Sequence, residues 1–115
     1  MDGYNEKDIY STSEVKTNKV WIDGKPIYRK VVSLTVSIRG DNSIAHNIAN
    51  LDTVVLATGV GINNNVRYIL PYCSYSDTDY DVSIRTTATD IIVNYGGQVC
   101  ALETKITIEY TKTTD

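Results

Sequence analysis

Phenylalanine is missing from this 115-residue chain, and tryptophan, histidine and methionine occur once each. A basic surplus is missing too: 11 Lys and Arg face 14 Asp and Glu, for a net charge of −3. A phosphate-binding surface normally needs that surplus, so nucleic acid is not expected as a partner. No apolar run approaches the ~20 residues of a membrane-spanning helix, and no membrane insertion is expected. Two cysteines, Cys73 and Cys100, are too few for a disulfide framework and read as free, buried thiols. There is no Asn-x-Ser/Thr site for glycosylation. The opening MDGYNEKD is acidic and polar, unlike a secretory signal, which points to a cytosolic protein or a piece of a longer chain.

What the chain does have is alternation. Val32, Leu34, Val36 and Ile38 are apolar, while Arg29, Ser33, Thr35 and Ser37 between and before them are polar. Ile106, Ile108 and Tyr110 alternate in the same way with Lys105, Thr107 and Glu109. Between these lie the runs TVVLATGVGI (53–62), VRYILPY (66–72), DVSIR (81–85) and DIIVNYG (90–96). Turn clusters separate them at Gly40-Asp41-Asn42, Asn63-Asn64-Asn65, Ser76 to Asp79, Thr87 to Thr89, and Gly96-Gly97. Short β-branched strands at about ten-residue spacing predict an all-β fold, an antiparallel β-sandwich of jelly-roll type. One segment, Asn42 to Leu51, places Ile44, Ile48 and Leu51 on one helical face and reads as a turn of helix or a loop. Residues 1–19 lack apolar periodicity and read as a short N-terminal arm or linker, leaving 20–115 as the domain.

The stretch after the arm has a local logic. Val20-Trp21-Ile22 runs into Asp23-Gly24, and Lys25-Pro26-Ile27-Tyr28 starts the return. Asp-Gly suits a two-residue type I′ hairpin turn, which needs positive φ at both positions. Pro26 cannot donate a ladder hydrogen bond and belongs near the start of its strand.

Catalytic and metal chemistry finds little support. Asp77, Asp79 and Asp81 mimic the start of a calcium loop, but its sixth and twelfth positions are Val82 and Ala88 where Gly and Glu are needed. Gly59-Val60-Gly61 begins a dinucleotide fingerprint whose third glycine position is Asn64. His46, the single histidine, has no spacing relation that would make it a base for Cys73 or Cys100. No catalytic residue, metal or cofactor is therefore expected. The segment YILPYCSYSDTDYD brings Tyr68, Tyr72, Tyr75 and Tyr80 beside Asp77 and Asp79. Rings beside carboxylates can hold a sugar, so Tyr72, Tyr75, Asp77, Asp79 and Tyr80, with the loop tip Asn63 and Asn64, are the candidate receptor or glycan contacts. The plainer reading has Tyr68 and Tyr72 alternating into the core while Tyr75 and Tyr80 pack over the loop.

The stretch Tyr10-Ser11-Thr12 followed by Trp21 to Lys30, WIDGKPIYRK, resembles the entry to a C-terminal module of bacteriophage and prophage tail, fibre and baseplate proteins. The ending from Ile108 to Asp115, IEYTKTTD, is similar to the way those chains close. The chain departs from that pattern at Ser13, where a second acidic residue is expected beside Glu14, and at Asn18, near which a glycine is. The resemblance implies a non-catalytic virion protein, assembled in the bacterial cytoplasm as a homotrimer beside other virion proteins. It would meet a bacterial surface glycan or protein. Trp21, Asp23, Gly24 and Tyr28 then become structural residues, with Trp21 buried where arm and domain meet. Two other readings stay open: a trimerising cap or capsid-decorating piece with no receptor, and a small cell-wall hydrolase using carboxylates among Asp77, Asp79, Asp81 and Glu103.

Overall fold

A computed structural model describes residues 9–63, 65–71, 81–96 and 102–114. The described residues form eight strands and no helix: β1 (Val15–Val20), β2 (Pro26–Val36), β3 (Gly40–Ala45), β4 (Leu51–Asn63), β5 (Val66–Leu70), β6 (Val82–Thr86), β7 (Asp90–Tyr95) and β8 (Leu102–Lys112). They make two sheets, one of five strands in the order β1-β2-β8-β4-β5 and one of three in the order β3-β7-β6. Every pairing is antiparallel. The last strand of the chain, β8, lies at the centre of the larger sheet, between β2 and β4.

Alternation decides which side of each strand is dry. Val32 and Val36 of β2, and Leu102, Ile106, Ile108 and Tyr110 of β8, join Val82, Ile91, Val93 and Tyr95 of the smaller sheet in one buried cluster. Both sheets therefore share a single core, and the rings of Tyr28 and Tyr110 stack at one end of it with centroids 6.1 Å apart. Lys30 reaches from β2 to donate to the carbonyl of His46 at 2.7 Å, tying the larger sheet to the chain that leaves β3.

Four expectations change. Asn42 to Leu51 is not helical, because its first residues are β3, paired with β7 from Gly40 against Tyr95 to Ala45 against Asp90. The Asn42 side chain accepts from the N–H groups of Ser37 and Ile38 and donates to the carbonyls of Ile38, Gly40 and Val93. Such side-chain bonding competes with a helix and instead builds the β2–β3 turn. Ile38, read as part of the first long strand, lies in this turn and is exposed.

The Trp21 hairpin also differs from a two-residue turn. Gly24 N–H donates to the Trp21 carbonyl and Trp21 N–H to the Lys25 carbonyl, both at 2.9 Å, so Ile22, Asp23 and Gly24 form a three-residue loop. Only Gly24 has positive φ, at 88°, while Asp23 accepts from the Lys25 N–H through Oδ1. A single left-handed residue after the turn is the glycine-bulge alternative to type I′. Trp21 is half-buried rather than enclosed, and Ile22 at the tip is 91% exposed. Finally, residues 15–19 are not an arm but part of β1, with Val15 opposite Arg29 and Lys16 opposite Tyr28.

Candidate interaction face

Directly opposed residues in an antiparallel sheet point to the same side, so the register of the larger sheet lays out its outer face row by row. Thr35, Glu103, Ile62 and Arg67 form one row across β2, β8, β4 and β5. Ser33, Lys105, Val60 and Ile69 form the next. Val31, Thr107 and Thr58 follow, and then Arg29, Glu109 and Leu56. This face turns away from the shared core.

One end of it is covered. Arg29 and Glu109 are only 5% and 4% exposed. Arg29 Nε donates to Glu109 Oε2 at 3.0 Å, and Lys19 Nζ donates to both Glu109 oxygens at 3.2 and 3.3 Å. The Tyr10 ring lies over the guanidinium, its centroid 4.3 Å from the central carbon. Ser11 is held there as well, its carbonyl accepting from the Val31 N–H at 2.9 Å. Two cations thus share one carboxylate, and Arg29 Nη1 is buried with no hydrogen-bond partner. In the adjoining part of the sheet Lys25 Nζ donates to Asp52 Oδ2 at 2.8 Å and holds that carboxyl below the usual carboxylate range. The Thr111 hydroxyl donates to the same Asp52 oxygen.

The other end is open. Ser33, Leu34, Thr35, Val60, Ile62, Glu103, Thr104 and Lys105 line a groove of about 330 Å³. Lys105 Nζ donates to Ser33 Oγ at 3.3 Å across its floor. Ile62 in its lining is 38% exposed and Ile69 beside it 71%; Leu56, 43% exposed, lies opposite Glu109 in the covered row. None of these rows holds an aromatic ring.

The arrangement offers apolar contact flanked by charges of both signs, and no group poised for covalent chemistry. His46 is buried and occupied structurally. Ile48 N–H donates to its Nδ1 at 3.1 Å, which leaves Nε2 to carry the hydrogen and donate to the Thr87 carbonyl at 3.1 Å. Among the described residues no group of three or more His, Cys, Asp or Glu could hold a metal ion.

Of the candidate receptor contacts, Tyr72, Tyr75, Asp77, Asp79, Tyr80 and Asn64 lie outside the described residues. Asn63 ends β4, half-buried and opposite Val66. Tyr28 lies on the core side, with Lys112 Nζ 5.1 Å and Lys16 Nζ 6.0 Å from its ring centroid. Sequence reasoning missed the outer face altogether. Its one available signal was that Leu56, Val60 and Ile62 of β4 do not alternate with polar residues as a half-solvated strand should. Compared with protein-family models, with curated proteins and with solved structures, the chain matches none significantly.

Proposed function

We propose that this chain is a non-catalytic attachment module of a bacteriophage or prophage virion, working at a fibre or tail tip as a homotrimer. In this reading its two sheets pack as a jelly-roll-like β-sandwich, and its targets are a bacterial surface glycan or protein together with neighbouring virion proteins. The observation that carries the reading is where the two family-like stretches meet. Trp21 to Lys30 and Ile108 to Asp115 are some 80 residues apart, yet β2 and β8 are adjacent, with Tyr28 opposite Tyr110, Arg29 opposite Glu109 and Lys30 opposite Ile108. A resemblance confined to those stretches therefore describes one continuous piece of sheet, not two unrelated ends.

The test is direct binding of fluorescently labelled protein to a panel of bacterial strains, before and after protease treatment or periodate oxidation of the cells. Saturable binding to a subset of strains is expected, and the treatment that abolishes it assigns the receptor to protein or glycan. Uniform absence of binding would favour a structural cap. That second reading draws on the aliphatic end of the outer face, which suits assembly better than sugar recognition.

A further inference from the structure

β4 distributes its side chains in the opposite sense from a strand that packs on a core. Opposite the buried Ile106 and Ile108 it places Gly59 and Ala57, and opposite Thr104 it places Gly61. Its large apolar residues, Leu56, Val60 and Ile62, alternate with these and point outward. The small residues are required within: a Cβ on Gly59 would come 2.6 Å from both the Lys105 carbonyl oxygen and Ile106 Cδ1. Nothing in the core requires the large ones without. β5, the edge of the sheet, adds Ile69 to the same face beside Val60. Large apolar side chains on the outer face as well are what burial on both faces would call for, and among the described residues only the inner face of β4 is covered.

We propose that the open end of this face, formed by Val60, Ile62 and Ile69, is where a second copy of this chain packs. The occupant follows from what surrounds the patch. Exposed Arg67 and Lys105 stand beside it together with exposed Glu103. A surface carrying both signs is complementary to itself, since Glu103 of one copy meets Lys105 or Arg67 of the next. A polyanion would need more than the single net positive charge that Arg67, Lys105 and Glu103 leave there, and a sugar would need a ring to stack on, which the rows lack. A face that pairs with its own copy joins two chains about a two-fold axis, so this contact goes beyond the homotrimer proposed above, whose three-fold contact must use another surface.

The experiment is light scattering and sedimentation of the full chain over a concentration series. The parent should run at an even multiple of 12.8 kDa. Ile69→Glu, and independently Ile62→Glu, should weaken association by at least about tenfold while leaving the circular dichroism spectrum intact. Ile22→Glu, more exposed still but at the far hairpin, should leave the mass unchanged. A parent that is monomeric throughout overturns the proposal, as does an assembly that both face variants leave intact. Binding to bacteria is read separately. A monomer that still binds cells removes this contact and leaves attachment standing, whereas an Ile69-dependent oligomer that binds no strain upholds the contact and removes attachment.

Discussion

Two ends of one sheet face, laid out in one continuous register, are treated in opposite ways. At the β1 side the chain buries Arg29 and Glu109 beneath Tyr10 and Lys19. At the β5 side it leaves Ile69 and Ile62 in water. A monomer governed by its own hydrophobic effect would do the reverse, because desolvating charges costs several kcal/mol each while exposing aliphatic groups forfeits burial. Burial on this face is thus decided by which segment is tethered within reach, not by which residues gain most from it. The N-terminal segment reaches the charged end. Among the described residues nothing covers the aliphatic end.

The sharpest way to break the comparison is to neutralise one carboxylate at each end. Glu109→Gln leaves two cations facing no anion, one of them Arg29, already short of a hydrogen-bond partner. Removing one member of a buried pair costs about 3–5 kcal/mol, and urea denaturation should show a loss of that order. Glu103→Gln, three rows along the same strand but exposed, should stay within about 0.5 kcal/mol. Equal losses would mean that the two ends do not differ in cover.

The second test moves to the inner side of β4, where the same asymmetry appears between two glycines. Gly59→Ala drives a methyl to 2.6 Å from a backbone oxygen that cannot rotate away, and overpacking of that kind costs about 1–3 kcal/mol. Gly61→Ala meets nothing closer than 3.4 Å and should change stability by less than about 0.5 kcal/mol. Thermal unfolding of the two variants side by side decides it.

How much of this was legible beforehand depends on the range of the interaction. The strand at Val32 to Val36 and the strand at Ile106 to Tyr110 were readable from period two, which is local. The hairpin at Asp23-Gly24 was readable as a turn. Its loop length was not, because that depends on whether Trp21 or Ile22 closes the ladder. Ile44, Ile48 and Leu51 imitated a helical face by spacing alone, and the Asn42 side chain, whose bonds reach as far as Val93, overrode it. The Arg29–Glu109 pair was invisible for the same reason: 80 residues separate its members, and only the β2–β8 register brings them together. The exposed patch was not legible. The run TVVLATGVGI read only as a strand, and register alone shows that Leu56, Val60 and Ile62 point outward.

Beneath the covered end, Tyr110 offers a pH test. Its ring is fully buried and its hydroxyl donates to Glu14, which also accepts from Lys112. Burial first, then Glu14, raises the hydroxyl above its ordinary value of 10.0. The folded state therefore keeps this proton after the unfolded chain has released it. The resulting stability is complete below pH 10.0 and declines as pH rises beyond it. Tyr110→Phe should cost about 1 kcal/mol at neutral pH, since Glu14 remains partly solvated, and should flatten the alkaline decline. A Phe variant with the same alkaline slope as the parent would assign that slope to other groups.

The smallest effect asks whether the covered end is covered by Tyr10 at all. The ring is 63% exposed, so its contribution is the cation–π contact with Arg29, about 0.5–1 kcal/mol at a site of this kind. Tyr10→Phe should keep that contact and Tyr10→Ala should lose it, a difference of about 0.5 kcal/mol that closely matched denaturation curves resolve. The two substitutions also separate cover from charge. If Tyr10 seals the pair, the Ala variant admits water to Arg29 Nη1, and Glu109→Gln becomes less costly on that background than on the parent. If the costs simply add, the ring rests on a pair that β1 and β8 already close, and Lys19 with the strand beneath it is the cover.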